Sequence, residues 1–237
     1  MSSSESREES VAVAEDREKS KSTVREYAEA IGMALLLALF IQIFFMQAFK
    51  IPSGSMIPTL LIGDHILVNK LAYGIRIPER ISLFILDLQV PSWLIPIAGN
   101  YVVEWNKPQR GEVVVFVFPE DRSKDFIKRV IAVAGDNVEV RGKKVTINDQ
   151  PIEDPYGYYE GGDPQSGGLL LRADYGPRRV PEGHIFVMGD NRDRSYDSRS
   201  WGFVNLQAVK GRAIIIYWSW DGTDRWLRWE RIGRLIY

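Results

Sequence analysis

The sequence predicts a mainly β protein: an antiparallel β-sheet domain, either a sandwich or a partly open barrel, on a single N-terminal transmembrane helix. Three observations predict it. Residues 31–49, "IGMALLLALFIQIFFMQAF", form one apolar run without a charge. The remainder of the chain holds Val/Ile-rich runs of strand length, closed by turn residues. No amphipathic stretch of helical period separates those runs, which argues against an alternating α/β chain.

Residues 1–30 come first. Most of this segment, "MSSSESREESVAVAEDREKSKSTVR", is polar, charged and rich in Ser and Glu. It buries little apolar surface and reads as a disordered tail. The run 31–49 follows, with Gln42 and Gln47 as its only polar side chains. As a helix it spans roughly 28 Å, close to the hydrocarbon thickness of a bilayer. A cleaved leader fits less well, because the segment ahead of the run is long and "MQAFK" offers no small-x-small cleavage site. A buried soluble helix is the other alternative; a single membrane anchor is the reading adopted. Orientation stays open on charge alone. Arg7, Arg17, Lys19, Lys21 and Arg25 precede the run, while Lys50, Lys70, Arg76 and Arg80 follow it.

Residues 50–237 read as the β-rich domain. Runs 111–119 and 127–136 predict strands, and 137–148, with Gly142 near its centre, predicts a hairpin. "HIFVMGD" and "GRAIIIYW" predict two more strands. Residues 151–177, rich in Gly, Tyr and Pro, predict a surface loop. Residues 81–99 are apolar but broken by Pro91 and Pro96, so they read as an insertion rather than a second span. The C-terminal stretch mixes Trp218, Trp220, Trp226 and Trp229 with arginines, a composition suited to contact with membrane lipid as well as to core packing.

Composition narrows the chemistry. The chain of 237 residues has a formal net charge of -1, from 30 basic and 31 acidic residues, and gives no global reason to expect a nucleic-acid partner. It has no cysteine, which excludes disulfides, thiolate metal sites and a cysteine nucleophile. Its two histidines, His65 and His184, sit at strand entries without the acidic neighbours that mark a triad. The loop "IPSGSMIPTL" (51–60) carries Ser53 and Ser55 around Gly54, between Pro52 and Pro58. Gly54 is expected to let the backbone turn, and the prolines to limit its freedom. A serine nucleophile needs a base. In "DFIKRVIAVAG" strand alternation points one of Lys128 and Arg129 inward and the other outward. An inward Lys128 loses its proton more readily, since burial disfavours the charge; an outward one is an ordinary solvated lysine. In "MGDNRDRSYDSRSWGFV" (188–204) Asp190, Asp193 and Asp197 fit no calcium loop, and Arg192, Arg194 and Arg199 offset their charge. No metal or cofactor is expected. The segment reads as a tightly hydrogen-bonded loop in which Asp197 and Arg199 pair and hold Ser195 or Ser198.

The segments "IPSGSMIPTL", "FIKRVIAVAGD" and "GDNRDRSYDSRSWGFV", in that order after an N-terminal anchor, closely resemble those of bacterial type I signal peptidase, a Ser/Lys dyad protease family. The resemblance runs from Phe49 to about Trp218. It implies Ser55 as nucleophile, Lys128 as general base, and an oxyanion hole made by the Ser53 hydroxyl and the Ser55 backbone N–H. It implies that Ser195 orients the lysine and that Asp197 and Arg199 form a supporting ion pair. Phe49, Ile51, Met56, Leu60, Phe126 and Ile127 match the lining of shallow pockets for small residues. It further implies a bacterial cytoplasmic-membrane protein with a cytoplasmic N-terminus and an extracytoplasmic catalytic domain. Such an enzyme cuts signal-peptide-bearing preproteins beside the secretion translocon. Ala132 and Ala134 stand where the family's second motif carries Gly and Pro. Two other readings remain: a different Ser/Lys protease such as a self-cleaving soluble repressor, whose DNA-binding domain has no place here, and an inactive anchored β domain that only binds exported chains.

Overall fold

In this computed structural model the described residues are 25–38, 40–42, 44–76, 80–83, 86–89, 101–160 and 174–237. Two compact units divide between Ile43 and Phe44. In the first, residues 25–38 and 40–42 are helical (α1). Among the described residues no helix is long and apolar enough to cross a membrane. Of the expected tail 1–30, residues up to Val24 fall outside the described residues, and residues 25–30 are helical rather than part of a disordered tail.

The second unit is built from strands. In chain order they are β1 (Met46–Lys50), β2 (Asp64–Asn69), β3 (Gly74–Arg76), β4 (Arg80–Leu83), β5 (Leu86–Gln89), β6 (Tyr101–Glu104), β7 (Val113–Val117) and β8 (Asp125–Val133). Then follow β9 (Asn137–Arg141), β10 (Lys144–Ile147), β11 (Gln150–Pro151), β12 (Tyr175–Arg179) and β13 (His184–Met188). The short helix α2 (Ser198–Trp201), β14 (Val204–Asn205), β15 (Val209–Asp221) and β16 (Trp226–Leu227) complete the series. The main sheet has eight strands in the order β1-β2-β15-β7-β8-β13-β14, with β16 added to β15. A second sheet runs β11-β10-β9-β12. Among the described residues every pair of named strands is antiparallel.

Local sequence explains the central strands. β7, "VVVFV", is buried at all five positions, so both of its faces are covered. β2 alternates buried and half-buried residues, as a strand with one face on the core should. The predicted hairpin forms as β9 and β10, turning at Gly142 with φ +55°, a conformation glycine adopts without a Cβ penalty. Three apolar clusters make the core. One gathers Ile51, Met56, Leu60, Ile66, Val113 and Val115. Another lies between the two sheets' strands around Val138, Val145 and Phe186, and a third around Val114, Phe116 and Val130.

Three boundaries differ from the sequence expectation. Met46–Phe49, read as the end of the apolar span, belong to β1: their backbone pairs with β2 from Met46–Asn69 to Lys50–His65, and Phe49 packs on the core. A helix would leave that edge of β2 unpaired. In the 81–99 segment, β4 and β5 pair from Arg80–Gln89 to Leu83–Leu86, so its first part is a hairpin; residues 90–99 lie outside the described residues. Of the expected loop 151–177, Pro151 and Tyr175–Pro177 are strand residues. Residues 152–160 pack against the loop after β13, through the Tyr158–Asn191 bridge and the Asp154–Arg192 ion pair. Residues 161–173 lie outside the described residues.

Candidate active site

The segment between β1 and β2 closes at its base, where Ile51 N–H donates to Asp64 O at 2.8 Å and Gly63 N–H to Ile51 O at 3.0 Å. Within it the chain makes one tight turn, with Ile57 N–H on Gly54 O and Leu60 N–H on Met56 O. Met56 and Leu60 are fully buried and fix the turn to the core, which leaves Ser55 at the rim, 8 % exposed. Gly54 does not take a left-handed φ. The turn expected at this glycine is closed by Ile57 N–H on its carbonyl, and a Cβ there would lie 2.9 Å from Cδ1, the movable end of the Ile57 side chain.

Strand β8 brings the lysine. Lys128 Nζ donates to Ser55 Oγ at 2.7 Å across 73 residues of sequence. The two consecutive basic residues were expected to divide between inside and outside. Both are buried: Lys128 is 4 % exposed and Arg129 1 %. Alternation holds, but loops cover both faces of β8, so each side chain finds an interior partner. Arg129 donates from Nε and Nη2 to the two carboxylate oxygens of Asp190, at 2.8 and 2.7 Å. Its guanidinium also lies 3.7 Å from the Tyr156 ring centroid. Thr59 O–H donates to the same Asp190, which ties the serine loop to the loop after β13.

Burial among apolar neighbours lowers the Lys128 pKa most. Asp197 and then Asp190 raise it, and Arg199 lowers it; the balance lies at about 8. An ordinary lysine is about 0.04 % neutral at pH 7, whereas one at about 8 is roughly a tenth neutral. The neutral form of Lys128 is therefore populated at near-neutral pH. Among the described residues neither His65 nor His184 bonds to Ser55; the Nδ1 of His184 meets Glu182 O instead.

The loop 189–199 braces the site from the other side. Gly189 N–H donates to Ser195 Oγ and to Asp197 Oδ2, each at 3.1 Å. Asn191 N–H donates to Ser55 O, also at 3.1 Å. Gly189 is needed for closeness: a Cβ there would overlap Ser195 Oγ and the Ser55 carbonyl. Arg199 grips Asp197 through Nε and Nη2, both at 2.9 Å, and donates to the carbonyls of Arg192 and Ser195. Asp197 also caps α2 through Arg199 N–H. Ser198 Oγ accepts from Val187 N–H. Both serines of this loop are thus held by the end of β13, where sequence left the choice between them open.

The remaining expected site residues divide by exposure. Ser53 is exposed, beside Ser55. Ile51, Met56 and Leu60 are sealed in a core cluster, with half-buried Phe49 and Ile127 packed against it; Phe126, also half-buried, packs against the separate cluster of Val114, Phe116 and Val130. Sequence reasoning missed Arg129, Asp190, Thr59 and Gly189. The available signal was an arginine followed by the apolar run Val130–Val133 in one strand, which cannot stay solvated if the strand is central.

Comparison with known proteins places this geometry. Residues 24–218 match the family model described as "Signal peptidase, peptidase S26". A signal peptidase I of Pseudomonas aeruginosa is 35 % identical, covering 82 % of this chain and 72 % of its own length. One from Leptolyngbya laminosa is 34 % identical, covering 84 % and 82 % respectively. A solved signal peptidase I structure from Enterococcus faecalis is 32 % identical over 45 % of this chain and 97 % of its own, with a TM-score of 0.37. Because the family match runs through the serine loop, β8 and the loop after β13 together, the chain belongs to the signal peptidase family, peptidase S26, and is a peptide hydrolase.

Proposed function

We propose that this chain is a membrane-anchored serine endopeptidase that removes N-terminal signal peptides from exported preproteins through a Ser55/Lys128 dyad. The observation that carries the reading is the 2.7 Å bond between Lys128 Nζ and Ser55 Oγ, on a lysine whose pKa burial has lowered to about 8. Neutral Lys128 removes the Ser55 hydroxyl proton as Oγ attacks the scissile carbonyl. The tetrahedral oxyanion is held by the Ser55 N–H and the Ser53 hydroxyl. Among the described residues, neither group donates to another protein atom, so both stand free for that task. Protonated Lys128 then gives its proton to the leaving amine, and an acyl-enzyme remains. Lys128, neutral again, takes a proton from water, whose oxygen attacks the ester and releases the signal peptide and Ser55. Among the described residues Ser195 makes no hydrogen bond to Lys128; it acts as a positioning residue by holding Gly189 N–H and so the loop packed against Ser55, while Asp197, Asp190 and Arg199 set the field around the lysine.

The substrate would bind as an added strand. β7 pairs with β8 from Asp125 to Arg129, but β13 pairs with it only from Arg129 to Val133. Among the described residues, the side of Asp125–Lys128 away from β7 has no strand partner, and it lies beside Ser55. Phe49 and Ile127 lie over a floor closed by buried Ile51, Met56 and Leu60, and a shallow surface of this kind supports cleavage after small-x-small. Membrane anchorage rests on the apolar run that begins at Ile31, whose Ile31, Met33, Leu35, Leu36 and Leu37 are exposed along the helix. The catalytic domain is assigned to the extracytoplasmic side, where exported precursors emerge.

The test is cleavage of a purified precursor in detergent by wild type, Ser55→Ala and Lys128→Ala. Each variant is expected to lose at least a hundredfold in kcat, and mass analysis of the wild-type product should place the cut after a small-x-small sequence. Processing by either variant at the wild-type rate would remove the dyad from the account.

A further inference from the structure

Strand alternation assigns the two faces of the unpaired β8 edge to different jobs. Ile127 packs on the cluster of Ile51, Met56 and Leu60, so a strand added beside it turns its first and third side chains, the two small ones, to that face. The side chain between them turns to the opposite face, where Phe126 lies.

That face carries a chain of rings. Phe126 stacks on Phe118 with centroids 4.2 Å apart and planes 9° from parallel. Tyr196 meets Phe118 edge-on at 6.1 Å. Lys128 Nζ lies 5.5 Å from the Phe126 centroid, so the rings reach the dyad. Tyr196 stands between Ser195 and Asp197, is 40 % exposed, and donates its hydroxyl to Glu120 at 2.8 Å. Glu120 belongs to the turn joining β7 to β8, so this bond links the two segments that flank the unpaired edge. An exposed tyrosine held at both ends of its side chain has little rotamer freedom left to lose on binding, which favours its use as a contact surface.

We infer that Tyr196, with Phe126 and the Phe118 ring behind them, reads the middle residue of the small-x-small sequence and favours an aromatic or long apolar side chain there. Tyr196 is a specificity-determining residue: its ring supplies the contact, and Glu120 sets its angle. The inference rests on the proposed dyad and the extended binding mode.

The experiment measures kcat/KM of the full chain in detergent on precursor peptides that differ only in the middle residue, Phe against Ser. Wild type should prefer Phe by roughly three- to tenfold, the size of an added aromatic contact. Tyr196→Ala should bring the ratio close to one, and Tyr196→Phe, which keeps the ring, should retain most of it. A tyrosine that merely holds its loop in place would lower both rates together and leave the ratio as in wild type. That outcome, or a wild-type ratio of one, overturns the inference while the dyad stands. Full cleavage by a Ser55→Ala control would overturn the dyad and this inference with it.

Discussion

Ser53 and Ser55 are two residues apart and differ in what surrounds them. Ser55 is buried against Lys128, while Ser53 is exposed beside it. The two donors assigned to the oxyanion, one backbone and one side chain, then contribute unequally to folding: the backbone N–H is fixed by the tight turn, and the Ser53 hydroxyl costs the fold nothing to remove. Ser53→Ala should therefore leave stability within about 0.5 kcal/mol of wild type and lower kcat by roughly 10²–10³. Urea unfolding and single-turnover cleavage check the two halves separately. A variant that cleaves normally would take the Ser53 hydroxyl out of the oxyanion hole.

Elements hold the site through buried ion pairs rather than through one contact. Arg129–Asp190 joins β8 to the loop after β13, and Arg199–Asp197 stiffens that loop from within. A third pair, Arg231–Asp64, joins the C-terminal segment to the base of the serine loop. Asp64 also accepts from Ser219 at 2.6 Å and from Leu61 N–H at 2.8 Å. Burial alone would raise its pKa; the Arg231 and Ser219 bonds overcome that and hold it below 3.8. A carboxyl lowered in this way stabilises the fold fully above its unfolded pKa and loses that contribution as pH falls through the folded value. Asp64→Asn leaves Arg231 buried with its charge uncompensated, so it should cost about 3–5 kcal/mol in denaturant unfolding at pH 7. A loss below about 1 kcal/mol would show that the pair is not structural. Of these pairings only Arg199–Asp197, two residues apart, was legible in sequence; the other two join partners 61 and 167 residues apart, which meet only through sheet order.

For the whole molecule, sequence carried the class and the centre of the site further than the edges. Val/Ile runs announced β7, β8, β13 and β15 because fully buried strands need apolar residues on both faces. The serine loop, the lysine strand and the Asp197–Arg199 loop were visible as motifs. β1 was not, since its "MQAFK" continues an apolar run and strand pairing with β2 decides its state. The hairpin β4–β5 was hidden by the same apolar composition. Burial of both Lys128 and Arg129 was not legible either, because alternation predicts opposite faces and says nothing of what covers each face. That double coverage is what gives the lysine its chemistry. Between pH 8 and its unfolded value of 10.5, folded Lys128 binds fewer protons than the unfolded chain. Its burial therefore costs stability below pH 8, and the cost is relieved as pH rises through that window.

The most direct test of the central claim, that buried Lys128 is the base for Ser55, is the pH dependence of kcat/KM for precursor cleavage between pH 5 and 11. The neutral lysine fraction falls tenfold per pH unit below its pKa, so log kcat/KM should rise with unit slope and reach half its plateau at about 8. A profile still climbing with a midpoint near that of an ordinary lysine, about 10.4, would contradict the account.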